Sequence, residues 1–143
     1  IEAALATGLS VWLGMSCRRS KATGNIHGRI DANVDLARSV AELAQTGVGV
    51  INVMHTEVSD TAAALALVRD YWSGPIGVYP ESGYMEMPNW QFIDIVEPDD
   101  LVREMQSWVA SGVQIIGGCC GLGPSHIRAL KAAFVGPVQT APR

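Results

Sequence analysis

The sequence predicts an α/β fold built on a parallel sheet, and three observations carry the prediction. Short apolar runs (LSVWLGMS, VGVINVM, PIGVY and VQIIG) recur along the chain. Stretches with apolar residues at helical spacing separate them. Glycine or proline stands at almost every boundary between the two patterns. A strand buried on both faces reads as a continuous apolar run, and parallel neighbours need a crossover of a dozen or more residues between them. Four strand–helix units of this kind fit a doubly wound sheet or part of an eight-fold barrel. In both, chemistry gathers at the carboxyl ends of the strands.

Taken in order, Ile1 to Ala6 reads as the last turn of a helix stopped by Gly8, cut from something longer. Leu9 to Ser16 is the first strand, and a polar loop runs from Arg18 to Gly28. Asn33 to Gln45 carries Val34, Ala37, Val40, Ala41 and Ala44 at helical spacing and ends at Gly47. Val48 to Met54 is the second strand. Asp60 is placed as the cap of a helix over Thr61 to Trp72, because a side-chain oxygen there satisfies free N–H groups of the first turn. Pro75 to Tyr79 is the third strand, followed by a long loop with Pro80, Gly83, Pro88 and Trp90. Pro98 opens the next helix, with Asp99 and Asp100 favourably placed at its positive end, and Gly112 closes it. Val113 to Gly117 is the fourth strand and Pro124 to Phe134 the last helix. The tail from 135 to 143 reads as irregular. All 143 residues are read as one segment, enough for one core.

Composition narrows the function. A formal net charge of -4 with scattered Lys and Arg gives no electrostatic footprint for nucleic acid or an anionic membrane. No apolar run approaches the roughly 20 residues of a transmembrane helix. Three cysteines, two of them adjacent, do not make a secreted disulfide framework. The reading is therefore a cytoplasmic protein whose thiols stay reduced.

The strand ends supply the chemistry. The fourth gives Gly117-Gly118-Cys119-Cys120-Gly121. Adjacent residues on a strand face opposite ways, and the glycines permit the backbone angles that turn both sulfurs toward one ion. Neighbouring cysteines are poor disulfide partners, whose geometry demands a particular separation. The second strand end gives His55-Thr56-Glu57. His55, Cys119 and Cys120 make three ligands of a kind zinc accepts, and three with one open position is the catalytic pattern. Taken singly, His55 also reads as a loop histidine and the cysteines as small buried fillers. Cys17 is a rival third ligand or a core filler.

These residues resemble the homocysteine S-methyltransferase family. The matching pieces are Gly117 to Gly121, then Pro124-Ser125-His126-Ile127, and Tyr79-Pro80-Glu81-Ser82-Gly83, which is similar to the family's Tyr-Pro-Asn-Ser-Gly loop. The resemblance implies the C-terminal half of a TIM (β/α)8 barrel, strands five to eight. It also implies zinc as cofactor, homocysteine as the small-molecule thiol, and a separate methyl donor. Where the family ends its second such strand Val-Asn-Cys, this chain reads Val53-Met54-His55, so histidine stands in a ligand cysteine's place. Glu81 and Ser82 become candidate substrate or supporting contacts. The family's early-strand residues that bind the amino acid have no counterpart here, so the segment alone is expected to be inactive and to need the N-terminal half-barrel or self-association. The alternative is a non-catalytic or incomplete metal-binding module. Zinc hydrolysis fits less well, because two thiolates weaken the metal's Lewis acidity and no general base accompanies them.

The remaining top-face residues are read as ordinary. Arg18, His27, Glu57 and, taken singly, Glu81 are read as solvated loop charges. Trp90 and Phe92 pack the long loop down or cover substrate. His126 is expected to bond to its own helix turn, and Trp72 and Trp108 to pack against the sheet.

Overall fold

The four apolar runs do form one sheet. A computed structural model of the chain describes residues 1–89 and 91–135. In chain order the elements are α1 (Glu2–Leu5), β1 (Trp12–Met15), β2 (Cys17–Arg19), β3 (Ile26–Gly28), α2 (Leu36–Leu43), β4 (Val50–Glu57), α3 (Val58–Tyr71), β5 (Ile76–Glu81), β6 (Tyr84–Glu86), β7 (Gln91–Ile93), α4 (Pro98–Ala110), β8 (Ile115–Ile116) and α5 (Pro124–Phe134). Strands β1, β4, β5 and β8 lie side by side in that order, all parallel.

The order bears on the two architectures left open above. A doubly wound sheet reverses direction at a switch point, which sends helices to both faces. Here each new strand is added on the same side of the last. With right-handed crossovers, successive helices then share one face. Consistently, α2 packs on α3, α3 on α4, and α4 on α5. The sheet is singly wound, as in half of an α/β barrel.

Alternation along each strand separates a core face from a second face. Ile51, Val53, Ile76 and Val78 are fully buried together with Val40, Val68, Leu101 and Met105 of the helices. Burying each such side chain contributes about 1.5–3 kcal/mol. On the other face Trp12 is 56% exposed, while Met54 and Tyr79 are half-buried. Glycines there leave room for a neighbour: a Cβ on Gly77 would overlap the Asn52 carboxamide, and one on Gly117 the Tyr79 ring.

Several local expectations are corrected. Both long loops contain antiparallel hairpins, β2–β3 and β6–β7. Helix α2 begins at Leu36, not Asn33, because the Asp35 carboxylate accepts from Arg38 N at 3.0 Å and caps it there. Asp60 is not a cap. Helix α3 starts three residues earlier, and the Asp60 carboxylate instead accepts from Arg19 N (2.9 Å) and Arg19 Nε (3.1 Å), fastening the β2–β3 hairpin to the helix. Trp72 follows α3 rather than lying within it; it is half-buried against the core as expected and donates to Pro75 O at 2.9 Å, and Trp108 is buried as expected. Helices α4 and α5 match their predicted starts at Pro98 and Pro124. Trp90 and the tail from 136 lie outside the described residues. Among the described residues, no helix is long and apolar enough to cross a membrane.

Candidate metal centre

Three strand ends converge on one point. Strand β4 runs past Met54 to Glu57 with an irregularity in its pairing to β5, and His55 sits in that irregularity at φ 51°. A left-handed conformation is uncommon for a residue with a side chain, though histidine tolerates it better than most. Strand β5 ends at Glu81. Beyond β8 the ladder to β5 continues through Gly117 N to Val78 O (3.0 Å), Cys119 N to Pro80 O (2.9 Å) and Ser82 N to Cys120 O (3.0 Å). These bonds hold the cysteine turn against the Pro80–Ser82 segment.

Gly121 completes the turn. It has φ 78°, and a Cβ there would overlap the Ser82 carbonyl oxygen. No other residue type combines that backbone angle with so close an approach.

The result brings together His55, Cys119 and Cys120, whose ligand atoms all lie within 4.8 Å of one another. The two Sγ atoms are 3.9 Å apart, and Cys120 Sγ is 3.7 Å from His55 Nε2. Tetrahedral zinc, with Zn–S about 2.3 Å and Zn–N about 2.0–2.1 Å, places two sulfurs about 3.8 Å apart and sulfur and nitrogen about 3.6 Å apart. The side chains therefore fit that ion. Burial pushes the Cys120 thiol above its usual range, and the hydrogen bond to Cys119 and the charges of Cys119 and Glu81 add to the effect. A cation among these groups reverses that balance.

Glu81 is not the solvated loop charge its position suggested: it is buried at 5% exposure and touches the cluster directly, because the fold places His55 and Arg29 beside it. Its Oε2 accepts from His55 Nδ1 at 2.8 Å, and its Oε1 pairs with Arg29 Nη1. Arg29 also donates to His55 O at 2.8 Å. The hairpin delivers this arginine: Arg29 follows β3, and its N–H bonds Ser16 O at 3.0 Å. Sequence reading missed Arg29. Nothing local marks it, since its partners lie 26 and 52 residues away.

The other candidates lie elsewhere. Ser82 Oγ accepts from Val96 N at 2.8 Å and anchors the chain as it returns from the β6–β7 hairpin. Cys17 is 1% exposed, donates its N–H to Thr56 Oγ1 at 3.0 Å, and stands outside the ligand cluster. Burial pushes its thiol up to about 11. His126 is buried in the first turn of α5; its Nδ1 accepts from Gly123 N at 3.2 Å and its Nε2 meets Val96 O at 2.8 Å, the turn-bonded role expected of it. Arg18, His27 and Glu57 line an open cleft over the β2–β3 hairpin, apart from the cysteines. Phe92 lies on β7 against Gly121.

Comparison with known proteins points to one family. The family model described as homocysteine S-methyltransferase matches residues 1–134. A selenocysteine Se-methyltransferase of Brassica oleracea var. italica is 38% identical over 66 residues, 44% of this chain and 19% of that protein. Homocysteine S-methyltransferase 2 of Arabidopsis thaliana is 36% identical over 66 residues, 44% of this chain and 20% of that protein. A betaine-homocysteine S-methyltransferase of Drosophila melanogaster is 25% identical over 127 residues, 84% of this chain and 37% of that protein. The chain thus spans between a fifth and somewhat over a third of these relatives.

Proposed function

The chain belongs to the homocysteine S-methyltransferase family, and we propose that it carries the metal-binding end of an enzyme that transfers a methyl group to the thiol of homocysteine. The observation behind this reading is the convergence of His55, Cys119 and Cys120 within 4.8 Å at the carboxyl ends of two parallel strands.

His55 Nε2 and the two cysteine sulfurs would hold zinc and leave a fourth position for a substrate sulfur, the arrangement of a catalytic rather than a closed structural site. Bound zinc would supply the Lewis acidity that keeps a thiol ionised near neutral pH. The chain's residues then serve to bind and orient, and no side chain here needs to act as a nucleophile. Glu81 supports the imidazole, while Ser82 fixes the returning loop that borders it. A thioether product would be a weaker ligand for that ion than the thiolate.

In this reading the four strands are strands five to eight of a TIM (β/α)8 barrel, and the protein works in the cytoplasm. The exposed Trp12 and the unhelixed face of β1 fit an interior that a further half-barrel completes. The short span relative to the family favours a dependent module, one that works with an N-terminal half-barrel or by self-association. The test is metal content followed by thiol binding, with cobalt as the reporter ion. We expect about one metal per chain and a change in the cobalt spectrum on adding homocysteine. Metal bound without any thiol response would leave a metal-binding module and remove the methyltransferase reading.

A further inference from the structure

The imidazole in the cluster comes with its own support, and that support is particular to this arrangement. A carboxylate only accepts, so the 2.8 Å contact between Glu81 Oε2 and His55 Nδ1 fixes the ring proton on Nδ1. Cys120 Sγ stands 3.7 Å from both ring nitrogens, and with Nδ1 engaged by Glu81, Nε2 is the one left with a free lone pair. The second carboxylate oxygen is held by Arg29, whose same Nη1 donates to the carbonyl of His55, a residue at φ 51°. One guanidinium nitrogen thus grips both the carboxylate that orients the ring and the backbone that carries it. The buried Glu81 would be costly without such a partner.

We propose that Arg29 and Glu81 are positioning residues for metal capture: Glu81 locks the His55 tautomer and ring plane so that Nε2 is the nitrogen left free beside the cysteine pair, and Arg29 locks Glu81 and the strained strand end. This rests on the metal reading of the cluster and adds which residues make a histidine competent there. A thiolate needs no tautomer and no ring orientation, so Glu81 matters to the metal only while residue 55 is histidine. The coupling of Glu81 to residue 55 is therefore the measurable content of the inference.

The experiment is a double-mutant cycle on metal affinity in the full-length protein, with zinc and cobalt(II) as the probes and a competing chelator to set free metal. The proteins are wild type, Glu81→Ala, His55→Cys and the double variant, each checked for folding by circular dichroism. In the wild-type background Glu81→Ala should weaken binding about 10- to 100-fold, the usual effect of losing a ligand histidine's hydrogen-bond partner. It should also lower the intense visible absorption of tetrahedral cobalt as water replaces a wandering imidazole. In the His55→Cys background the same substitution should change affinity by less than about three-fold, with the cobalt spectrum unaltered. If removing the carboxylate unfolds the chain, Glu81→Gln keeps its volume and Arg29's acceptor, and the same dependence on residue 55 is read from it. Equal losses in both backgrounds, or no loss in either, overturn the proposal while leaving the metal site standing. A wild-type protein that binds neither ion removes the metal reading itself, and this inference with it.

Discussion

Two strand ends of this molecule each carry cysteine beside a buried carboxylate, and they do opposite things. At the end of β1, Cys17 is sealed at 1% exposure, its thiol pushed up to about 11, and Asp60 is consumed by two bonds to Arg19. At the end of β8, Cys119 and Cys120 stand half-buried on a glycine turn, and Glu81 turns toward His55. Residue type does not separate the two. What separates them is what closes over each end: at β1 the hairpin continues directly from the strand and covers its own cysteine, whereas at β8 the chain turns at Gly121 and leaves both cysteines half-buried.

The largest expected effect tests that separation on the metal. Cys119→Ser or Cys120→Ser should reduce bound zinc from about one per chain to nearly none, while Cys17→Ser keeps it. Elemental analysis of reduced protein reads this; full zinc in both serine variants would move the site elsewhere.

The turn itself gives the next largest. Gly121→Ala combines a left-handed backbone with an overlap on the Ser82 carbonyl. It should cost about 3 kcal/mol or more in denaturant unfolding. Gly123, with φ -92° and open space where a Cβ would stand, is the control and should accept alanine with little change. Similar costs at both would mean the turn is not held by close approach.

A third prediction concerns pH at the closed end. Burial holds the Cys17 thiol at about 11 against an ordinary 9.0. The unfolded chain loses this proton first, so it binds fewer protons than the folded one between those values. Stability from Cys17 is therefore complete below about pH 9 and is lost as pH rises toward 11, by about 2 to 3 kcal/mol. Subtracting the pH profile of Cys17→Ala isolates this slope from the lysines and tyrosines that titrate nearby. Parallel profiles would show that Cys17 is not sealed.

The smallest effect is at Asp60. Asp60→Ala leaves Arg19 N–H without its acceptor and should cost about 1 to 2 kcal/mol. Zinc binding should be unchanged, since the carboxylate belongs to the closed end. A loss of metal would mean the β2–β3 hairpin, and with it Arg29, is released when its fastening goes.

The sequence alone determined whatever depends on residues within a few positions of one another. Apolar runs and helical spacing specified the four strand–helix units; Pro98 with Asp99 and Asp100, and Pro124, marked helix starts that the structure keeps. The glycine-flanked cysteine pair and the strand-end His55 were legible because glycine's backbone freedom and the rule of chemistry at strand ends are both local statements. Only the tertiary structure decided what those residues meet. The sheet order made the fold singly wound, and the register between β4, β5 and β8 brought His55 and Cys120, 65 residues apart, to 3.7 Å. Asp60 read as a cap because its own neighbourhood allows one, yet Arg19, 41 residues away, holds it more strongly. Arg29 carried no signal at all. A charged side chain's role is set by which opposite charge the fold places beside it in a low-dielectric site, and that partner is chosen by topology rather than by the neighbouring sequence.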